Sequence, residues 1–342
     1  MTTPSRRPST SCSAARTTAP RAMGRSTVDL SLGWLLQPLA VETFLDEVWQ
    51  TQHWHVQRGC PNYFDRLLHG SSALDELLEA ARPQPSAVRL VKGAHKEEPG
   101  AYRLADGSVD LVRVRSDFAD GYTIIVENLE QYAPAIASLS HSIQVELNFA
   151  TQVNAYITPP RSQGFAPHWD DHDVLILQMH GSKIWHLYDG ADVAPHEMQH
   201  RKAVSPTSLP MPTDLLLDAG DLLYLPRGRV HAAEATSKPS IHLTVGIHAP
   251  TVLSLVIRAL HSLSLRDEWV HDRLPMRRLN DTDARAQVGV LLREVVDTLQ
   301  RPDVIEEALE ALADVMIRRG RCPPVGQISD VTGVDGEALV VK

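Results

Sequence analysis

Apolar and polar positions change period four times along the chain. Over residues 36–78, FLDEVWQTQHWHV and YFDRLLHGSSALDELLEAA place apolar side chains three and four apart, the spacing that turns one helix face towards a core. From 88 to 125 short β-rich runs alternate with turn residues, and 87–91 and 109–114 are expected strands. EQYAPAIASLSHSIQVELN returns to helical spacing. Between 152 and 250 the period shortens: VNAYIT, DVLILQM, KIWHLY, TDLLLDAG, DLLYLP and SIHLTVGIHA read as strands separated by Gly, Pro and Asp turns. That many short strands suggest a barrel or sandwich. After Pro250, TVLSLVIRALHSL, TDARAQVGVLLREVVDTL and PDVIEEALEALADVMIRRG repeat at 3.6 residues, with Thr282 the expected N-cap and Pro302 in a first turn. The expected fold is mainly β with flanking helices, a jelly roll followed by a helical bundle that Pro323-Pro324 closes.

Composition narrows the classes. The chain has 342 residues, 43 % hydrophobic and 22 % charged, ordinary for a water-soluble protein, and no apolar run long enough to span a membrane. Cys12, Cys60 and Cys322 form no CxxC pair, which argues against a disulfide scaffold or thiolate zinc site and fits a reducing cytoplasm. Residues 1–28 carry Arg6, Arg7, Arg16, Arg21 and Arg25 and no acid, so of the net −9 they contribute +5 and the remainder −14. So acidic a body is a poor binder of phosphate backbones, and no direct nucleic-acid binding is expected. The Ser/Thr/Pro/Arg-rich tract 1–28 is expected to be disordered. It resembles a transit peptide in composition without an amphipathic period; the alternative is that Met23 is the initiator.

Candidate chemistry centres on His168-Trp169-Asp170, which opens HWDDHDVLILQMHGSKIWHLY, and on His231 in LLYLPRGRVHAAEA. His-x-Asp … His is the ligand set of a mononuclear non-haem iron(II) oxygenase, which leaves coordination positions open for a cosubstrate and dioxygen (O2). On a strand, residues i and i+2 share a face, so His168 and Asp170 can reach one metal while Trp169 points away. With 16 histidines in the chain, such a pair also arises by chance as strand-surface polarity. Three features favour the metal: an apolar strand start, a later histidine just beyond Pro226, and Lys183 at the start of the next strand. A buried lysine requires an anionic partner. A dicarboxylate cosubstrate would supply one through a charge-assisted hydrogen bond worth about 1.5–3 kcal/mol; the plain alternative is a solvated strand-end lysine. His196-Glu197-Met198-Gln199-His200 matches the HExxH zinc pattern, but Pro195, Arg201-Lys202 and Pro206 surround it and no apolar stripe supports a helix, so it reads as a polar loop. His172, His180 and His186 read as surface residues. His242, Thr244 and His248 are in phase on the last strand, where one of them faces the cosubstrate or all serve the core or rim. Asn154 and Tyr156 share a strand face shortly before the triad, a position that packing alone also explains.

VNAYITPPRSQGFAPHWDDHDVLILQMHGSKIWHLYD, GDLLYLPRGRVHAAEA and IHLTVGIH together resemble the JmjC-type cupin family that includes the ribosomal oxygenases. The resemblance implies a double-stranded β-helix over residues 29–250, with its N-terminal helices. It also implies a dimerisation region over 251–322, hence a homodimer, leaving a short tail at 323–342 where the ribosomal members carry a winged helix. It further implies Fe(II) and 2-oxoglutarate, with His168, Asp170 and His231 as metal ligands. Lys183 would hold the distal carboxylate, Asn154 would border that pocket, and Tyr156 would line the substrate side. Gly246 stands where relatives carry a hydroxyl residue, so a cosubstrate contact there is expected to be lost or shifted. The implied activity is hydroxylation of a protein side chain, an Arg or His of a ribosomal protein first. A tailoring hydroxylase of a peptide or amino-acid precursor and a non-catalytic cupin binding module remain the alternatives. Demethylation by the same chemistry stays open.

Overall fold

A computed structural model describes residues 30–69, 72–93, 95–195, 204, 206–274 and 281–320. The basic tract, the HExxH-like run and the expected C-terminal tail lie outside the described residues.

The chain begins with α1 (Leu32–Leu36) and α2 (Val41–Thr43), which runs on as a π-helical turn over Phe44–Val48. The helix expected to continue to residue 56 stops here. Gln50 takes φ 60° and donates its N–H to the Tyr224 hydroxyl at 2.9 Å, and the chain leaves as strand β1 (Trp54–Val56). Residues 61–67 form successive turns rather than a helix, and α3 (Ser72–Ala81) follows. β2 (Val88–Lys92) and β3 (His95–Lys96) come next. Residues 109–114, an expected strand, instead enter α4 (Leu111–Ala119), because the Asp110 carboxylate accepts from the N–H groups of Val112 and Arg113 and nucleates a helix. β4 (Thr123–Val126), α5 (Pro134–Leu147), β5 (Ala150–Thr158), β6 (Asp173–His180) and β7 (Ser182–Leu187) occupy the expected places. So do β8 (Thr213–Asp218), β9 (Leu222–Leu225) and β11 (Ser240–His248), whereas β10 (His231–Ala235) was not among the expected strands.

All pairings between named strands are antiparallel. One sheet runs β1-β9-β6-β11-β5-β4-β2-β3, the other β10-β7-β8. The alternation explains the layering. Leu175, Leu177, Leu222 and Tyr224 pack outward with Leu32, Leu36 and Ile136 of the helices, while Val174, Ile176, Leu223 and Leu225 face inward onto Trp185, Leu187 and Leu217 of the small sheet. A strand buried on both faces must be apolar at nearly every position, and DVLILQM is. This is a jelly roll with helices covering the outside of its larger sheet.

Beyond it lie α6 (Val252–Arg266), α7 (Thr282–Leu299) and α8 (Pro302–Arg319). Thr251 and Ser254 close a capping box on α6. Thr282 is not the N-cap of α7: Asp281, one residue earlier, accepts from the N–H groups of Asp283 and Ala284. Among the described residues no helix is long and apolar enough to cross a membrane.

Candidate metal and cosubstrate site

His168 and His231 are distant in sequence but share one bridge: each donates its backbone N–H to the other's carbonyl, at 3.0 and 2.8 Å. The regular strand begins only at Asp173, so the ligand segment 168–170 is an extended lead-in to β6 rather than part of it. His231 is the first residue of β10. Ring centroids of the two histidines lie 4.4 Å apart, and His231 Nε2 is 3.7 Å from Asp170 Oδ2. One ligand atom from each of His168, Asp170 and His231 falls within 4.8 Å of the others.

Tautomer and aim are set by the backbone. His168 Nδ1 lies 2.9 Å from the carbonyl of Ala166, and His231 Nδ1 lies 2.9 Å from that of Arg229. A carbonyl only accepts, so both Nδ1 atoms carry hydrogen and the Nε2 atoms are the nitrogens available to a metal. Two imidazoles oriented by outer hydrogen bonds, with one carboxylate beside them, suit a divalent first-row metal.

The three groups line one wall of a cavity of about 320 Å³ between the two sheets. Lys183, on β7, also lines it and is 3 % exposed. Its Nζ donates to Thr158 Oγ1 at 3.0 Å and lies 3.4 Å from His242 Nδ1; no carboxylate pairs with it among the described residues. Burial without a counter-charge pulls the Lys183 ammonium down to about 7. Burial likewise holds the His242 imidazole well below its ordinary range, so it is neutral, and the adjacent lysine adds to the effect. The Trp185 indole N–H, also on the cavity wall, is buried with no hydrogen-bond partner. A buried cation without an anion and a donor without an acceptor are what a bound dicarboxylate would satisfy, so the residues fit the cosubstrate as well as the metal.

Tyr156 lines the cavity and stacks on His242, centroids 4.8 Å apart and planes 4° apart. Burial first, then the Asp170 charge, pushes its hydroxyl up to about 12. Asn154 does not line the cavity. Its Oδ1 accepts from the N–H of Asn128, which sits at φ 58°, so the side chain serves the β4–α5 connection. Of the phased histidines, His242 lines the cavity with Thr244, whereas His248 packs at a tilt against His172 and accepts from Arg319 at 2.9 Å. Gly246 faces the His172 ring, and a Cβ there would come within 2.8 Å of it. Thr158, Thr123 and Trp185 escaped the sequence reading. Thr158 continues the i, i+2 series of Asn154 and Tyr156 and was readable from it; Trp185 stands two after Lys183 in the same phase.

Comparison with known proteins agrees with this picture. Residues 129–255 match a family described as the JmjC domain. The chain is 31 % identical over 254 residues, 69 % of its own length and 28 % of the relative's, to the bifunctional lysine-specific demethylase and histidyl-hydroxylase NO66 of Drosophila mojavensis. It is 29 % identical over 305 residues to ribosomal oxygenase 2 of Mus musculus, covering 85 % of this chain and 64 % of the relative. It therefore spans less than two thirds of either relative's length. Among solved structures it resembles YcfD, a ribosomal oxygenase from Escherichia coli, in complex with cobalt and 2-oxoglutarate. That match has a TM-score of 0.52 and 20 % identity, covering 81 % of this chain and 71 % of that one. Fold, family match and relatives agree: the chain carries a JmjC domain and belongs to the JmjC-domain cupins.

Proposed function

We propose that this protein is an Fe(II)- and 2-oxoglutarate-dependent oxygenase that hydroxylates a protein side chain, an Arg or His of a ribosomal protein, in the cytoplasm. One observation carries the reading: two Nε2 atoms and a carboxylate converge on a cavity that also holds a buried lysine with no acidic partner. The activities for which the relatives are named, histidyl-hydroxylase and ribosomal oxygenase, support the substrate class.

In this reading His168, Asp170 and His231 hold the iron, and Lys183 with Thr158 binds the distal carboxylate of 2-oxoglutarate. Bound iron with 2-oxoglutarate supplies activation of O2 and oxidative decarboxylation to succinate, coupled to hydroxylation of a C–H bond. The backbone carbonyls of Ala166 and Arg229 hold the hydrogen on each Nδ1 and aim both Nε2 atoms inward. Trp185 and Tyr156 bracket His242, at centroid distances of 5.4 and 4.8 Å, and keep water from the lysine end. The substrate side chain enters past Tyr156 and Phe165, whose rings stand 6.3 Å apart.

The helices after the jelly roll support a homodimer. Val256, Ile257 and Leu260 of α6 and Val290, Leu292 and Val296 of α7 are exposed, a patch that a second copy would cover.

The test is anaerobic addition of Fe(II) and 2-oxoglutarate to the purified chain. A visible charge-transfer band that weakens in Lys183→Ala is expected. Its absence from folded, iron-exposed protein would leave a binding module as the better reading.

A further inference from the structure

The substrate end of the cavity carries charge that the proposed chemistry does not use. Register assigns which residues face it. Arg89 pairs with Ile125, Ile125 with Tyr156, and Tyr156 with His242, so these four form one row across the inner face of the large sheet. The next row runs from Lys96 through Val91 to Thr123. Alternation therefore turns Arg89 and Lys96 inward, and both line the cavity.

Apart from Asp170 and Lys183, which have roles, Arg89 and Lys96 are the charged residues lining the cavity among those described; no second carboxylate lines it. Arg89 gives one guanidinium nitrogen to Glu127 at 2.6 Å, yet its Nε is buried without a hydrogen-bond partner. Lys96 sits on an edge strand with its ammonium 6.0 Å from the Phe165 ring centroid, and no described carboxylate pairs with it. His95 and Glu97, its neighbours, hydrogen-bond to each other and Glu97 also accepts from Tyr122, so that acid is engaged elsewhere.

A cationic side chain entering here meets two cations and no free acid. Desolvating it costs several kcal/mol unless paired. An uncharged side chain avoids that cost, and a carboxylate beside it answers both Lys96 and the orphaned Arg89 donor.

We propose that the substrate inserts an uncharged side chain, such as a neutral imidazole, and presents a nearby carboxylate that Lys96 and Arg89 bind. This deepens the oxygenase reading and rests on it. It selects histidine over arginine within that reading and adds an acidic neighbour as the recognition element. The carboxylate comes from an Asp or Glu side chain or from a chain terminus.

The experiment is selection of a random-sequence peptide pool on the immobilised full chain, loaded anaerobically with Fe(II) and 2-oxoglutarate. C-terminally amidated and free-acid pools are run in parallel. Enrichment of Asp and Glu by roughly fivefold, the scale of one partly exposed ion pair, is expected. Lys96→Glu should invert it towards Lys and Arg. Enrichment in the free-acid pool alone assigns the carboxylate to a terminus. Selection of Arg or Lys by the unaltered chain, no charge preference, or a preference that Lys96→Glu leaves intact would each overturn the proposal. The charge-transfer band of the unaltered chain, recorded without peptide, reports on the oxygenase reading separately.

Discussion

A single buried ammonium decides the behaviour of the cosubstrate pocket. Lys183 is neutral or charged near pH 7 because nothing in its surroundings repays desolvation of the cation. In the proposed reading 2-oxoglutarate, with its two carboxylates, would bind the charged form. Below about pH 7 the proton is already present; above it, binding must take up a proton. Affinity for 2-oxoglutarate should therefore fall as pH rises through 7 to 9, by up to about tenfold per unit. Titration of the charge-transfer band at several pH values measures this, and Lys183→Arg, always charged, should flatten the profile. A pH-independent affinity in the unaltered chain would refute the role of Lys183. Replacing Lys183 with Ala should raise the 2-oxoglutarate requirement on the order of 10- to 100-fold, the value of a charge-assisted hydrogen bond. Asp170→Ala removes the only carboxylate of the triad and should abolish succinate formation with the fold retained, as far-ultraviolet circular dichroism would report. The Lys183 position was legible because a lone lysine in an apolar strand invites the question of its counter-charge. Asn154 misled, since sharing a strand face with Tyr156 does not reveal that Asn128 captures its amide oxygen.

Elements were legible wherever periodicity and burial agreed. β6, β9 and β11 are apolar runs because they separate two cores, and local sequence carries that information in full. β1 was not readable: its three residues pair with β9, and only that long-range partner makes them a strand. α4 was misread because alternating valines look like a strand while one capping carboxylate, Asp110, starts a helix. Asp110→Ala should cost about 1 kcal/mol in chemical denaturation; a change below a few tenths would mean that tertiary packing, not the cap, fixes α4. β11 gives a second check. Gly246→Ala places a methyl against the His172 ring at 2.8 Å. That ring also lies against His248, centroids 4.4 Å apart and planes tilted by 38°, so it has little room to retreat. Overpacking of this kind costs about 1–3 kcal/mol, and thermal unfolding should register it. The space beside Gly246 is thus occupied by the His172 ring.

At the scale of the molecule, the jelly roll and the helices that follow differ in how they are held. The large sheet and the N-terminal helices share one extensive core, whereas the described part of the bundle has a cluster of just Ala259, Val304 and Ala308, with Leu255 and Leu299 against them. Leu263 of α6 is buried as well, yet so small a set of apolar side chains supplies little of the stability that three helices of 15, 18 and 18 residues need. Helical period announced the helices but not their partner, because an apolar stripe looks the same whether it faces its own chain or another. Ties to the jelly roll exist, as where Arg319 donates to His248, but they leave Val256 and Leu260 of α6 and Leu292 of α7 exposed. If a second copy covers these faces, Val256→Glu with Leu260→Glu should convert a dimer to a monomer in light scattering and lower the melting temperature of the helices. Because these residues are remote in sequence from the triad and do not line its cavity, the monomer should still develop the charge-transfer band. A monomeric unaltered chain, or a dimer that survives both charges, would assign the exposed stripe to a different partner.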